Sequence, residues 1–134
     1  MTEQDRRNKN LVLIQFLSTI VEGFKIKAEY STNDNDIKVI VVQEASGQKI
    51  VFYDNDNPLY NYFNIEIFGN SIEEEYKTSA KIGDLIGKNN YLDFQNQKWQ
   101  VMIKQYTNPR TIQYYDIKRV SYTMTLQCIV NRIA

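Results

Sequence analysis

The chain has 134 residues, of which 43% are hydrophobic and 24% are charged, with 16 basic and 16 acidic side chains. This length and composition are typical of one globular domain with one hydrophobic core, which excludes a disordered or fibrous protein. The chain contains no histidine and one cysteine, which excludes histidine-dependent nucleophiles, the usual zinc sites and an internal disulfide. We therefore expect a single domain over residues 1–134.

The two signs of charge are unevenly distributed along the chain. Residues 31–75 contain nine acids and two lysines, whereas residues 98–134 contain six bases and one acid. Complementary potentials of this kind set the register between stacked subunits, although the two segments could equally pair within one sheet. No apolar run approaches the ~18–20 residues that span a bilayer, and acids are mixed into the first seven residues, so we expect neither export nor a membrane partner.

The first segment predicts an amphipathic helix. Apolar residues recur at helical spacing from Leu13 to Phe24, which favours a helix over about residues 3–22. Thr2 is a suitable N-cap, and Gly23 is suited to the left-handed conformation that ends a helix.

Three or four strands are predicted before the second helix. Alternation over residues 24–30 predicts a strand with one solvent-exposed face, and the β-branched run at 37–42 predicts a strand that is covered on both faces. Further strands are expected at 49–53 and 60–68. In the last of these, Phe63, Ile65 and Ile67 share one face.

A second helix is predicted over residues 72–86, ending at Gly87. Ser71 and the glutamate three residues later form a capping box, in which each side chain accepts from the backbone of the other. The three consecutive glutamates also suit the positive end of the helix dipole. The residues expected to face inward are Ile72, Tyr76, Ala80, Gly83, Leu85 and Ile86.

The last third predicts a long antiparallel hairpin. Alternation over 98–106 and over 119–130 predicts two paired strands, joined by a loop at 107–116. Cys128 falls on the apolar face of the final strand, so we expect a buried structural thiol. The order of elements predicts the α+β class, with an antiparallel β-sheet and two α-helices packed on one face.

Two patterns could indicate metal or acid–base chemistry. Residues 54–58 resemble the first half of a calcium loop, but Leu59 replaces the required glycine and Ile65 stands where the closing glutamate belongs. A carboxylate-dependent enzyme using Glu66 with the glutamates at 73–75 is a further alternative, although helix capping explains those three residues. We predict no catalytic residue, no metal site and no cofactor.

The loop at 107–116 and its flanks combine tyrosines with bases. Tyrosine and arginine are enriched in protein interfaces, and the same residues can also bind single-stranded nucleic acid by stacking and phosphate contact. The zero formal charge of the chain favours the protein interface over a nucleic-acid-binding module. The candidate interface residues are Arg110, Tyr114, Tyr115, Lys118, Arg119, Glu73, Glu74 and Glu75.

Over about residues 10–132 the sequence resembles the tail-terminator or minor capsid (head-to-tail joining) proteins of long-tailed bacteriophages of Gram-positive bacteria. The resemblance lies in the order of elements, the segment FNIEIFG at 63–69, the capped helix at 71–87 and the segment YYDIKRVSYTMTLQ at 114–127. It implies a homo-oligomeric ring, commonly a hexamer, that ends the tail tube and joins it to the head connector.

Genomic DNA would pass through such a ring without sequence recognition, and the protein would be made in the bacterial cytoplasm and reside in the virion neck. Another neck or tail-tube component of the same particle is the alternative within this resemblance.

Overall fold

The computed structural model describes residues 3–45, 60–107 and 109–133. Thr2 and the predicted segments at 49–53 and 54–58 lie outside these residues. In chain order, the elements are α1 (Glu3–Ser18), β1 (Lys25–Lys27), a short 3-10 helix (Thr32–Asp34), β2 (Val39–Glu44), β3 (Asn61–Phe68), α2 (Ile72–Gly83), β4 (Asn90–Phe94), β5 (Gln97–Tyr106), β6 (Arg110–Tyr114) and β7 (Arg119–Ile133). Neither of the two described helices is long and apolar enough to cross a bilayer.

The strands form one curled sheet, organised around the 15-residue strand β7. The order is β1-β2-β3-β7-β5-β4, and β6 also pairs with β7. One edge of β7 pairs with β3, over residues 122–128 of β7. The opposite edge pairs with two strands in succession: β6 pairs with residues 119–123 and β5 pairs with residues 126–133. The predicted antiparallel pairing of β5 with β7 is confirmed, although β6 lies between these two strands in the sequence.

The expectation of a wholly antiparallel sheet is wrong at one pair of strands. β1 and β2 are parallel, with Ile26 opposite Ile40. The connection between them contains the 3-10 helix and returns the chain to the end of the sheet at which β1 began. A parallel pair needs such a crossover, whereas an antiparallel pair can be joined by a tight turn.

The main hydrophobic core combines residues of both helices with residues of the sheet. Leu13 and Leu17 of α1 and Ile82 of α2 are fully buried in the same cluster. The predicted inward rows of two strands are confirmed, because Phe63, Ile65 and Ile67 of β3 and Trp99, Val101 and Ile103 of β5 are all buried in this cluster. Each large apolar side chain buried there contributes about 1.5–3 kcal/mol.

A smaller cluster lies on the opposite face of β2. Val39, Val41 and Phe68 are buried there, and Tyr30 and Tyr114 are among the side chains packed against them. The prediction that β2 is covered on both faces is therefore confirmed.

Helix α1 ends at Ser18, four residues before the predicted end. The hydroxyl of Ser18 donates to Ile14 O at 2.8 Å, and that of Thr19 donates to Phe16 O at 2.6 Å. Hydroxyls that bond to nearby carbonyls compete with helical backbone bonds, which favours an end at this point. Gly23 has the expected left-handed conformation, with φ +82°, but lies in the following loop.

The predicted inward face of α2 is wrong for most of its residues, although Leu85 packs against the main core as expected. Ile72 and Tyr76 are 54% and 59% exposed, and Ala80 is also exposed. The residues that are buried instead are Glu75, Thr78, Ser79 and Ile82. The hydroxyls of Thr78 and Ser79 donate to helix carbonyls at 2.9 and 2.8 Å, so these polar residues can face the sheet without an unsatisfied hydroxyl.

The predicted loop at 107–116 contains a strand. β6 occupies 110–114 and pairs with β7, and the reversal is a turn at 115–118 in which Lys118 has φ +54°. Strand β4 was not predicted. It pairs with β5 through a two-residue turn at Gln95 and Asn96, whose φ values of 52° and 63° match the geometry that such hairpins prefer.

The apolar face of β7 is as predicted from Met124 to Val130, and Cys128 is fully buried. The opposite face of β7 is not simply solvated, because Ser121 and Gln127 are also fully buried. Gln127 is held by side-chain bonds to Gln105 and Tyr62.

Candidate functional site

A cleft of about 360 Å³ lies beside the start of α2. Ser71, Ile72 and Glu75 line it on the helix side, and Lys118 and Arg119 line it where β7 begins. The fold thus brings together three of the candidate residues, Glu75 from the acidic segment and Lys118 and Arg119 from the basic segment. The positive charge of Arg119 thus lies near enough to Glu75 to offset part of the effect of burial on the pKa of that acid.

Arg119 joins three parts of the monomer on this side of the sheet. Its guanidinium donates to Asp34 O at 2.7 Å, to Tyr30 OH at 3.2 Å and to Gly69 O at 3.4 Å. It also lies 5.2 Å from the ring centroid of Phe68, which is the geometry of a cation–π contact. Arg119 is therefore a structural residue of the monomer.

Asp34 fixes the loop to which Arg119 binds. Asp34 is fully buried, and its side chain accepts from Lys27 Nζ at 2.8 Å and from Ser31 N at 2.9 Å. The bond from Lys27, followed by that from the Ser31 backbone, lowers the pKa of Asp34 from 3.8 to about 2. The resulting stabilisation is present above pH 3.8 and is lost as the pH falls toward 2.

Glu66 joins β3 to β6 across β7. Its Oε2 accepts from Tyr114 OH at 2.5 Å and from Ser121 Oγ at 2.7 Å. Burial, together with the acceptor carboxylate, raises the pKa of Tyr114 to about 12, so this phenol remains a hydrogen-bond donor at neutral pH. The only role that these contacts show for Glu66 is to hold the hairpin against the sheet.

The capping box at the start of α2 forms only in part. The hydroxyl of Ser71 accepts from Glu74 N at 3.1 Å, as predicted. The carboxylate of Glu74, however, accepts from Asn70 N and from Lys38 Nζ, both at 2.8 Å. The backbone bond from Asn70, followed by the bond from Lys38, lowers the pKa of Glu74.

Glu75 is a buried acid beside a close backbone approach. It is 2% exposed, and its Oε2 accepts from Gly69 N at 2.8 Å, whereas Oε1 has no partner within the described part of the chain. Burial raises the pKa of Glu75. A Cβ at residue 69 would lie 2.9 Å from Glu74 Oε1 and 3.0 Å from Glu75 Cγ, which explains why a glycine precedes this helix.

We expect Glu75→Gln to stabilise the protein at neutral pH. The amide keeps an acceptor for Gly69 N but removes the cost of burying a charge. Since the folded-state pKa of Glu75 is raised from 4.5, the wild type loses stability as the pH rises above 4.5. The urea midpoint of Glu75→Gln should therefore exceed that of the wild type at pH 8, and the difference should diminish at pH 4.

Glu73→Gln is the matched control for this prediction. Its side chain is 76% exposed and pairs with Lys77 at 3.1 Å. Its loss should lower the urea midpoint slightly, because an exposed pair of this type contributes about 0.3–0.5 kcal/mol. A lower midpoint for Glu75→Gln than for the wild type at pH 8 would contradict the prediction.

The remaining candidate residues of the hairpin project into solvent. Tyr115 is 85% exposed at the tip of the β6–β7 hairpin, and Arg110 and Lys118 are also exposed. Residues 115–118 are hereafter called the Tyr115 turn. Of the tyrosines near the predicted loop, Tyr115 is thus available for an external contact, whereas Tyr114 is engaged with Glu66.

An apolar surface that the sequence did not reveal lies beside this turn. Tyr76 of α2 packs edge-on against Tyr122 of β7, with ring centroids 6.2 Å apart. Ile72 and Val120, on the same two elements, line the cleft of about 360 Å³. These four residues form what we call the α2–β7 patch. The spacing of Ile72 and Tyr76 indicated an apolar stripe, but not that it faces solvent.

A second depression, the α2 groove, lies on the other flank of the helix. It has a volume of about 430 Å³. Its lining includes Glu22, Phe24, Lys77, Thr78 and Lys81. The patch and the groove therefore use different flanks of α2.

In the described parts of the chain, no group of three or more His, Cys, Asp or Glu residues could hold a metal ion. Burial raises the pKa of the Cys128 thiol, as expected for a structural cysteine. No protein-family model matches the chain, and a search of curated proteins finds no similar sequence.

Proposed function

We propose that this protein is a structural subunit that assembles with copies of itself into a ring, and that the ring terminates a bacteriophage tail tube and joins it to the head connector. The α2–β7 patch carries the assembly part of the proposal. Ile72 and Tyr76 are more than half exposed, and adjoining exposed apolar residues with a charged rim mark interaction surfaces. Tyrosine is also among the residues enriched in such interfaces.

We further infer that both helices cover one face of the sheet, since Leu13 of α1 and Ile82 of α2 share the main core. The β6–β7 hairpin then extends beyond this layer, and its tip is free to contact another subunit. This arrangement supports a subunit that presents one surface on α2 and another on the hairpin.

The assignment to the phage tail rests on the resemblance described above. The long closing strand β7 and the capped helix α2, on which the resemblance depends, are regular elements of the fold. The implied partners are the tail tube protein and the connector, with DNA passing through the lumen of a ring, commonly a hexamer. Such a ring needs no cofactor and performs no catalysis.

The hairpin as a nucleic-acid-binding module has less support. Stacking and phosphate contact require free aromatic and cationic side chains, whereas Tyr114 and Arg119 are bonded within the monomer.

Another neck or tube component of the same particle differs from a terminator in its place of binding. Only a terminator should stop purified tube protein from polymerising further.

Electron microscopy of the purified protein, alone and mixed with tail tubes, tests this function. We expect closed rings, free or at tube ends, and Ile72→Glu should weaken self-association at least tenfold in light scattering, because it places a charge in the apolar patch. Leu11→Glu on α1 is the matched control, since Leu11 is 43% exposed and lies outside the patch. Compact monomers in both samples would contradict the proposal.

A further inference from the structure

We propose that the Tyr115 turn of one copy docks in the α2 groove of a second copy, with Tyr115 as the inserted side chain. This inference rests on the proposed assembly and names the surfaces that would carry it. The contact joins two different surfaces, so it is heterologous. Repetition of a heterologous contact generates a ring when the rotation closes.

The inserted side chain is held out by a fixed turn. Tyr115 is 85% exposed, while its neighbour Tyr114 is bonded to Glu66. At the other end of the turn, Lys118 has a left-handed φ of +54° and Arg119 is bonded to Asp34 O. A turn that is anchored on both sides loses little conformational entropy on binding.

The groove suits an aromatic ring flanked by charges. Its volume of about 430 Å³ lies in the range of about 300–1,000 Å³ that holds small ligands, so one tyrosine side chain can enter. The half-buried ring of Phe24 lines the groove, and Lys38 Nζ, which is bonded to Glu74, lies 4.8 Å from the centroid of that ring. The stems of Lys77 and Lys81 supply further apolar surface.

The charges of the turn and the groove are complementary. Asp116 and Lys118 have no ion-pair partner among the residues that the structure describes, and the same holds for Glu22 and Lys81 in the groove. Docking of Tyr115 allows Asp116 to meet Lys81 and Lys118 to meet Glu22. Complementary pairs of this kind fix register and exclude wrong partners.

The turn and the groove of one copy lie on opposite flanks of α2. Lys118 shares the cleft with Ile72 and Glu75, whereas Lys77 and Lys81 line the groove on the other flank. The helix separates the two surfaces, so the turn meets the groove of a neighbouring copy and not its own. The α2–β7 patch lies on the same flank as the turn, since Ile72 and Val120 share the cleft with Lys118.

Disulfide trapping between two variants tests the contact. Asp116→Cys is mixed with Lys81→Cys under mild oxidation, and Cys128 is left in place because it is fully buried. We expect a covalent dimer containing one copy of each variant. Asp116→Cys mixed with Tyr91→Cys is the control, since Tyr91 is 55% exposed on β4, and it should give no more dimer than either variant alone.

A charge exchange gives a second readout that keeps Tyr115 in place. Asp116→Lys or Lys81→Asp alone should weaken self-association at least tenfold, and the double variant should restore it. Each variant should keep the wild-type urea midpoint, which separates loss of contact from loss of fold.

The outcomes distinguish this inference from the proposed function. If the wild type assembles but the cysteine variants give no trapped dimer and the double charge variant gives no rescue, the docking contact is overturned and the ring is not. If the wild type is monomeric and the two cysteine variants give no trapped dimer, both the docking contact and the ring are overturned. A trapped dimer without rings or binding to tubes would support the contact and contradict the tail-terminator function.

Discussion

Replacement of Arg119 by alanine should lower the free energy of unfolding by about 3 kcal/mol. The substitution removes three hydrogen bonds, each contributing about 0.5–1.5 kcal/mol, and a cation–π contact of about 0.5–1 kcal/mol. Asp34 O and Gly69 O lose a charged donor. Glu75 also loses the nearby positive charge that partly offsets its burial. Urea unfolding followed by circular dichroism measures the change.

Lys118→Ala is the matched control, because it removes a neighbouring positive charge from an exposed side chain in the turn. We expect it to change the free energy of unfolding by no more than about 0.5 kcal/mol. Arg119→Lys should fall between the two, since an ammonium keeps the charge but cannot form the same fork of bonds. Equal effects of Arg119→Ala and Lys118→Ala would contradict the structural role of Arg119.

Glu66→Ala should destabilise the fold by about 2–3 kcal/mol, because it leaves the hydroxyls of Tyr114 and Ser121 without their acceptor. Ser121 is fully buried, so water cannot replace the lost bond. The free energy of unfolding from urea titration is the measurement.

Glu66→Gln separates the hydrogen bonds from the charge. Both hydroxyls donate to Oε2, and an amide oxygen in its place can accept both bonds. Most of the stability should therefore return, less the extra strength that a charged acceptor gives to its bonds. A double-mutant cycle with Tyr114→Phe should show coupling, because the two side chains share a bond. Additive effects of Glu66→Ala and Tyr114→Phe would contradict the short contact between the phenol and the carboxylate.

The contacts of Arg119 and those of Glu66 determine which candidate residues remain available to a partner. The hydrogen bonds of Arg119 and Tyr114 hold the β6–β7 hairpin in place, and Glu75 is buried against Gly69. Tyr115 and Lys118 remain exposed at the tip. The contacts of Arg119 and Tyr114 hold the exposed turn in one position, as the proposed assembly requires.

Much of the fold could be predicted from local patterns. The alternation in β3, β5 and β7 identifies the buried faces because successive side chains of a strand point to opposite sides. Ser71 was recognised as the N-cap of α2 because its hydroxyl acts on the adjacent helical turn. These features depend on residues that are close in sequence.

The tertiary structure decided the features that depend on residues distant in sequence, such as the buried face of α2 and the existence of β6. Helix α2 buries Glu75 and exposes Ile72, although an apolar stripe favours the opposite. The buried polar side is satisfied because Gly69 N donates to Glu75, and the hydroxyls of Thr78 and Ser79 donate to carbonyls of their own helix. Strand β6 exists because β7 is long enough to pair with it beyond β5. The sequence by itself determined the α+β class and the main strands, whereas the surfaces open to a partner followed only from packing, because exposure depends on every element that covers a residue.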